Sequence, residues 1–209
     1  VAIDTCANYA EIHGAKSNIG GIVGSLTRNT STVSNCYNAG AIHAESYRGG
    51  IVGNLSSGCD AGISNVFNVG EIESHANSHA IALCTSSTVD NIQNAFAIAD
   101  YAKTGGYTLV TEERMASGEI AYRLGKAFGQ HLANGDKHPT FGAPQVFYDE
   151  VNDKYYNKSS GIDNIVDEPA TTAQIEGYYN LQGVRSASPW NGINIVRYSD
   201  GTTRKAIVR

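Results

Sequence analysis

Two histidines and a glutamate carry the first hint of chemistry. His13, His43 and Glu73 stand at equal intervals, each directly after an isoleucine (Ile12, Ile42, Ile72). On stacked strands such residues would lie about 4.8 Å apart. They would then either share a metal ion or form a solvated polar ladder. A zinc-type site needs further converging ligands of fixed geometry, which this interval does not supply, so the ladder is the expectation. His131, Asp136 and His138 lie close together in a polar stretch. They match no metal-ligand spacing and read as a surface loop. Cys6 and Cys36 are equivalent in the same sense. They are either two small core thiols or a disulfide, and in-register neighbours on a sheet seldom have the side-chain directions a disulfide needs. Whether Cys59 and Cys84 pair cannot be read from their spacing.

The familiar catalytic patterns are missing. There is no G-x-S-x-G and no H-E-x-x-H. Gly118 to Lys126 mimics a phosphate loop only loosely: its glycines are too far apart, Ala127 stands where Ser or Thr is required, and the segment reads as helix. The carboxylates are scattered, and their spacing places no pair across a glycosidic bond. Tyrosine is abundant, at 12 residues. Tyr37, Tyr47, Tyr155 and Tyr156, with Tyr178 and Tyr179, are candidates for an aromatic binding surface; the alternative is strand tyrosines that are half core and half wet. The expectation is no catalytic residue, no metal and no cofactor.

The elements that would carry these residues repeat. Ile3-Asp4-Thr5-Cys6-Ala7-Asn8 returns as Val33-Ser34-Asn35-Cys36-Tyr37-Asn38 and as Ile63-Ser64-Asn65-Val66-Phe67-Asn68, with Val89-Asp90-Asn91-Ile92-Gln93-Asn94 as a weaker fourth copy. Gly20-Gly21-Ile22-Val23-Gly24 returns as Gly49-Gly50-Ile51-Val52-Gly53 and decays to His79-Ala80-Ile81-Ala82-Leu83. Each copy holds short β-branched runs split by Gly, Asn and Ser, which is strand chemistry. One copy cannot bury its apolar face alone, so copies must stack. Ile12, Ile42, Ile72 and Ile98 would form an aliphatic column, and Asn8, Asn38, Asn68 and Asn94 an amide column at a turn. Residues 1–100 are therefore expected to be a β-solenoid-like repeat.

The joined pattern of 33–42 and 49–53 resembles the GLUG motif repeat of bacterial secreted and cell-surface proteins, some of them adhesins and proteases. Copy one departs at Ala7 to Ala10, and copy three loses its glycines at His79-Ala80. The resemblance covers about half the chain. It implies an extracellular scaffold and no catalytic residue.

Beyond a Gly-containing linker near Tyr101, Thr111-Glu112-Glu113 opens a helix, with an N-cap hydroxyl and carboxylates near the positive end of the dipole. Ala116, Ile120, Leu124 and Phe128 give it a core-facing stripe, and Gly125 or Gly129 would end it. Residues 145–148 and 154–156 read as a hairpin across Asp149 to Asp153. The 107–160 segment is thus expected to be a small α+β module. Residues 161–173, acidic and with Pro169, read as a boundary.

The 175–209 segment reads as a small antiparallel β-domain with an Asp200-Gly201 hairpin turn. Its Tyr179-Asn180-Leu181-Gln182-Gly183, residues 192–197 and residues 199–205 closely resemble the C-terminal tail domain of secreted Bacteroidetes proteins. That family's tails serve sorting or anchoring, with type IX secretion the best-studied case. The residues around 116–122, with 136–139, resemble a segment found in Bacteroidetes surface proteins just C-terminal to GLUG-type repeats.

The formal net charge is −5, from 15 Lys+Arg and 20 Asp+Glu. Electrostatics therefore give no reason to expect nucleic acid or an anionic membrane as partner. No apolar run approaches the ~20 residues that span a bilayer. The N-terminus has no initiator Met and reads as a strand entered midway, as in a piece of a longer protein. The expected fold is mainly β. The expected function is a non-catalytic secreted or cell-surface scaffold or adhesive module, bacterial, that presents a face to glycan or host protein and meets a secretion machinery through its tail. The alternatives are a polysaccharide-degrading enzyme, with Glu45, Asp60, Glu71 and Glu73 converging in a groove, or the stalk of a larger enzyme.

Overall fold

The computed structural model describes residues 1–15, 17–27, 31–56, 59, 61–73, 77–83, 89–101, 105–158 and 174–208. Asp60, Cys84, the acidic boundary at 161–173 and Arg209 lie outside them. The chain is mainly β and divides into two compact units, Val1–Lys158 and Ser159–Arg209.

In the first unit the copies pair in parallel. Strands Ala2–Asp4 and Ala7–Asn8 both pair with Thr32–Asn38, followed by Gly62–Asn68, Ile92–Ala97 and Thr108–Leu109. The register aligns Ile3, Val33, Ile63 and Ile92, and further along Tyr37, Phe67 and Phe96. A second ladder joins Ile12–Gly14 to Ile42–Ala44, with Ile42 bridging Ile72. A third joins Ile19–Gly20, Arg48–Gly49 and Ser78–His79, and a fourth joins Val23–Leu26 to Val52–Leu55. Among the described residues of 1–101 the only helix is a three-residue 3-10 turn, Val89–Asn91.

Each long strand breaks the two-residue alternation once. Asn35, Asn65 and Asn94 take φ of 50°, 52° and 49°. The left-handed region tolerates Asn better than most residues. Thr5, with φ 55°, takes the same place in the first copy. This single turn brings Val33 and Cys36, three residues apart, into one core, and likewise Ile63 with Val66 and Ile92 with Ala95. Tyr37, Phe67 and Phe96 then project from the opposite side of the sheet into a second core.

That geometry corrects the expected fourth copy. Asn94 is the counterpart of Asn65, to whose Oδ1 it donates at 2.7 Å over a step of 29 residues. The counterpart of Asn68 is Ala97. The amide column is therefore Asn8, Asn38 and Asn68, with Asn8 Nδ2 donating to Asn38 Oδ1 and Asn38 Nδ2 to Asn68 Oδ1, both at 2.8 Å, and Asn94 is not in it. Ile98 likewise leaves the aliphatic column, which holds Ile12, Ile42 and Ile72. Beyond Ile72, the Tyr101 hydroxyl accepts a hydrogen bond from the Ile72 N–H at 2.8 Å. The sequence match failed because Asn91 and Asn94 both fit the motif, and only strand pairing selects Asn94.

The glycine pairs follow from the amide column. A Cβ on Gly21 would collide with Asn38, and one on Gly50 with Asn68 and the Ala80 carbonyl oxygen. Where the register replaces Asn by Ala97, the position equivalent to Gly50 holds Ala80. The two losses in the third turn of the repeat are thus one change in packing.

Cys6 and Cys36 are free thiols, the first exposed and the second buried. Burial raises the Cys36 thiol to about 11. No disulfide joins them.

The helical segment packs on the second core. The single helix expected there is two: α1 (Glu112–Ala116) and α2 (Glu119–Leu124). Gly118, at φ 93°, breaks them. The Thr111 hydroxyl accepts from the Arg114 N–H at 3.3 Å, as an N-cap should. Met115, Ile120, Leu124 and Phe128 are buried against Tyr37 and Phe67, whereas Ala116 is only partly buried. Glu119 fastens the two helices: Arg114 reaches it at 2.6 and 2.8 Å, and Arg123 at 2.8 Å. Both guanidinium groups hold its carboxyl below the usual range, the hydrogen bond from Arg114 most of all. The hairpin expected at 145–156 is Val146–Asp149 with Lys154–Asn157.

The second unit is a four-stranded antiparallel sheet: Arg185–Ser186, Ile175–Tyr179, Gly192–Tyr198 and Thr203–Val208, in that order. The Asp200-Gly201 turn joins the last two, with Gly201 at φ 83°. Asn194 and Val196 are buried; Asn194 bonds the Trp190 backbone at both its oxygen and its nitrogen.

Asn38→Ala tests the amide column. It removes the acceptor of Asn8 and the donor to Asn68, and each buried polar atom left unsatisfied costs about 1–3 kcal/mol. Chemical denaturation is expected to show a loss of at least that size. Asn8→Ala, on a half-buried residue, is expected to cost less.

Candidate functional site

The sequence-selected histidines meet on the second ladder. Strands Ile12–Gly14 and Ile42–Ala44 place His13 directly beside His43, with ring centroids 4.9 Å apart and planes 14° from parallel. A residue not singled out from the sequence, Glu11, joins them: its Oε1 lies 3.1 Å from His13 Nε2 and 2.8 Å from His43 Nε2. Glu73 lies 3.8 Å from His43 Nδ1. Both Nε2 atoms meet the same carboxylate oxygen of Glu11, which holds the stacked rings in place. Among the described residues no group of three or more His, Cys, Asp or Glu is placed to hold a metal.

Behind this ladder sits Arg48, which sequence spacing also missed. It is aligned with Ile19 and Ser78 on the third ladder and is 2% exposed. Its NH1 donates to Glu73 Oε2 at 3.2 Å, and its buried Nε has no acceptor. The Glu73 side chain is 59% exposed. An arginine at a level whose counterparts, Ile19 and Ser78, are uncharged was a readable signal. Together Arg48, His13, His43, Glu45 and Glu73 line a groove of about 640 Å³, whose space is left by Gly14, Ala15 and Ala44. Of the carboxylates considered for catalysis, Glu45 and Glu73 line this groove; Glu71 is exposed elsewhere and Asp60 lies outside the described residues.

No protein family model, curated protein or solved structure matches this chain. The geometry therefore stands on its own. Among the described residues no helix is long and apolar enough to cross a membrane.

The other sequence candidates are dispersed. Tyr37 belongs to no binding surface: it is fully buried and stacks on Phe67 at 4.7 Å, because the left-handed Asn35 turns it toward the helices. Its hydroxyl hydrogen-bonds that of Tyr9. Tyr47 is exposed but lies on another part of the fold from the 154–157 strand. Tyr155 packs on Tyr148 and Tyr122, while Tyr156, its neighbour on the strand, faces the other way onto Phe147. Tyr178 and Tyr179 are half-buried in the second unit. Within the first unit, Tyr37, Tyr47, Tyr155 and Tyr156 do not form one platform. The trio in the 131–138 loop also separates. Asp136 accepts the His131 backbone N–H at 2.7 Å, and His138 packs its ring 5.7 Å from Tyr37.

A buried arginine whose partner among the described residues is a half-exposed carboxylate is a burden on the fold, since removing a guanidinium from water costs several kcal/mol. Arg48→Ile, which copies Ile19, is expected to leave stability unchanged or to raise it by about 1–4 kcal/mol. Urea unfolding of the two proteins measures the difference.

Proposed function

We propose that this chain is a non-catalytic scaffold or adhesive module, secreted or held at a bacterial cell surface, whose groove at His13, His43, Arg48 and Glu73 binds glycan or a surface protein. The observation that carries the reading is Arg48. A buried charge with an unsatisfied Nε is poor packing, and proteins keep such residues where function needs them. The in-register pairing of copies supports a β-solenoid-like stack as the frame. The resemblance of 33–42 and 49–53 to the GLUG repeat agrees with a surface address. Among the described residues the groove is lined by no Ser, Thr, Cys or Lys.

On an array of bacterial and host glycans, the folded chain is expected to bind at least one class, and that class is expected to release no reducing ends on prolonged incubation. A second reading, a polysaccharide-degrading enzyme, draws on the presence of Glu45 and Glu73 in one groove. Turnover lost in both Glu45→Gln and Glu73→Gln would establish it in place of binding alone.

The second unit is proposed as a sorting or anchoring tail that meets the secretion machinery. It is a separate compact unit, and its last two strands carry Arg197, Arg204 and Lys205 in an otherwise acidic chain. Deleting residues 200–209 in the native host is expected to leave the first unit folded and to lower the amount at the cell surface, read by surface proteolysis. Normal surface amounts would refute this role.

A further inference from the structure

Arg48 also says which ligand the groove takes. Its guanidinium is a planar fork of donors that suits a carboxylate better than a lone hydroxyl. In this structure Nε has no acceptor, and NH1 meets Glu73 at 3.2 Å, long for a charge-assisted bond. Glu73 is more than half exposed and lies only 3.8 Å from His43 at its nearest ring nitrogen. It is a weakly held stand-in that a ligand carboxylate can displace. Around that point the groove offers the two imidazoles and Glu45, groups that exchange hydrogen bonds with hydroxyls. Its small residues, Gly14, Ala15 and Ala44, leave open space, and no large apolar side chain lines it.

We propose that the groove binds a carboxylated saccharide, with Arg48 receiving the carboxylate in place of Glu73 and the imidazoles of His13 and His43 meeting the sugar hydroxyls. This rests on the glycan-binding reading above and narrows it to acidic sugars.

The test is titration calorimetry on the full chain with three probes: a galacturonate trimer, a hyaluronan tetrasaccharide and sialyllactose, each beside its carboxyl-reduced form. At least one acidic probe is expected to bind tenfold or more tightly than its reduced form. Arg48→Met is expected to abolish that preference, and Arg48→Lys to weaken it, because an ammonium lacks the planar fork. Glu73→Gln is expected to tighten the acidic probe several-fold by removing the competing carboxylate. A structural ion pair alone predicts no such gain. Circular dichroism confirms that each variant is folded; should Arg48→Met not fold, Glu73→Gln and Arg48→Lys decide the matter. Equal binding of acidic and reduced probes, a preference that survives loss of Arg48, weaker binding by Glu73→Gln, or equal binding of an acidic peptide would each overturn the proposal. Binding of neutral glycans alone would overturn it while leaving the broader glycan reading intact. Binding of no saccharide at all would remove both.

Discussion

Asn35, Asn65 and Asn94 each turn the backbone left-handed in the middle of a strand, and the side chains on either side depend on that turn. Without it, a strand alternates, and Val33 and Asn35 would share a face. With it, Val33 and Cys36 face one core and Tyr37 faces another. The turned residues also hold one another. Asn65 donates to Asn35 at 3.2 Å, and Asn94 to Asn65 at 2.7 Å. At the first copy Asp4 takes over, accepting from Ser34 at 2.6 Å and from Asn35 at 2.8 Å. Those bonds, with one from Thr5, keep its carboxyl below the usual range, the bond from Ser34 contributing most. A residue that carries both donor and acceptor can satisfy the copies before and after it, which explains why an amide suits this position.

The second amide column works by a different rule. Asn8, Asn38 and Asn68 each bond their successor or predecessor and also the carbonyl two residues on, at 2.8 to 3.0 Å. They fix the corner at which the chain leaves the long strand. The close approach of Gly21 to Asn38 and of Gly50 to Asn68 leaves no volume for a side chain. Where the column ends at Ala97, the requirement for glycine ends too. Decay of the repeat is therefore ordered: partners are lost together, and the aromatic column of Tyr37, Phe67 and Phe96 passes through it and meets the helical segment.

The groove shows where the repeat departs from uniformity. Stacking copies the same residue type at each level, which favours uniform ladders such as Ile12, Ile42 and Ile72. The groove breaks that uniformity. Arg48 among Ile19 and Ser78, and Glu73 following His13 and His43, are such departures at adjoining levels. The repeat supplies a parallel frame, and the irregular residues place charge on it.

Much of this was present in the linear order of residues. The strand character, the 30-residue pairing of Asn38 with Asn68, the equivalence of His13 and His43, the N-cap at Thr111 and the Asp200-Gly201 hairpin all follow from local chemistry and periodicity. These features involve neighbours along the chain or a fixed interval, which spacing reports directly. Three things were decided only in the folded chain. Asn94 rather than Asn91 continues the bulge, because hydrogen bonding between strands, not similarity of letters, sets the register. Tyr37 is core and not surface, because one left-handed residue reverses the face on which it lies. Arg48 joins the histidines because side chains from different ladders meet across the corner between them, a closeness that no interval in the sequence encodes, whereas Glu11, two residues before His13, was within reach of strand alternation.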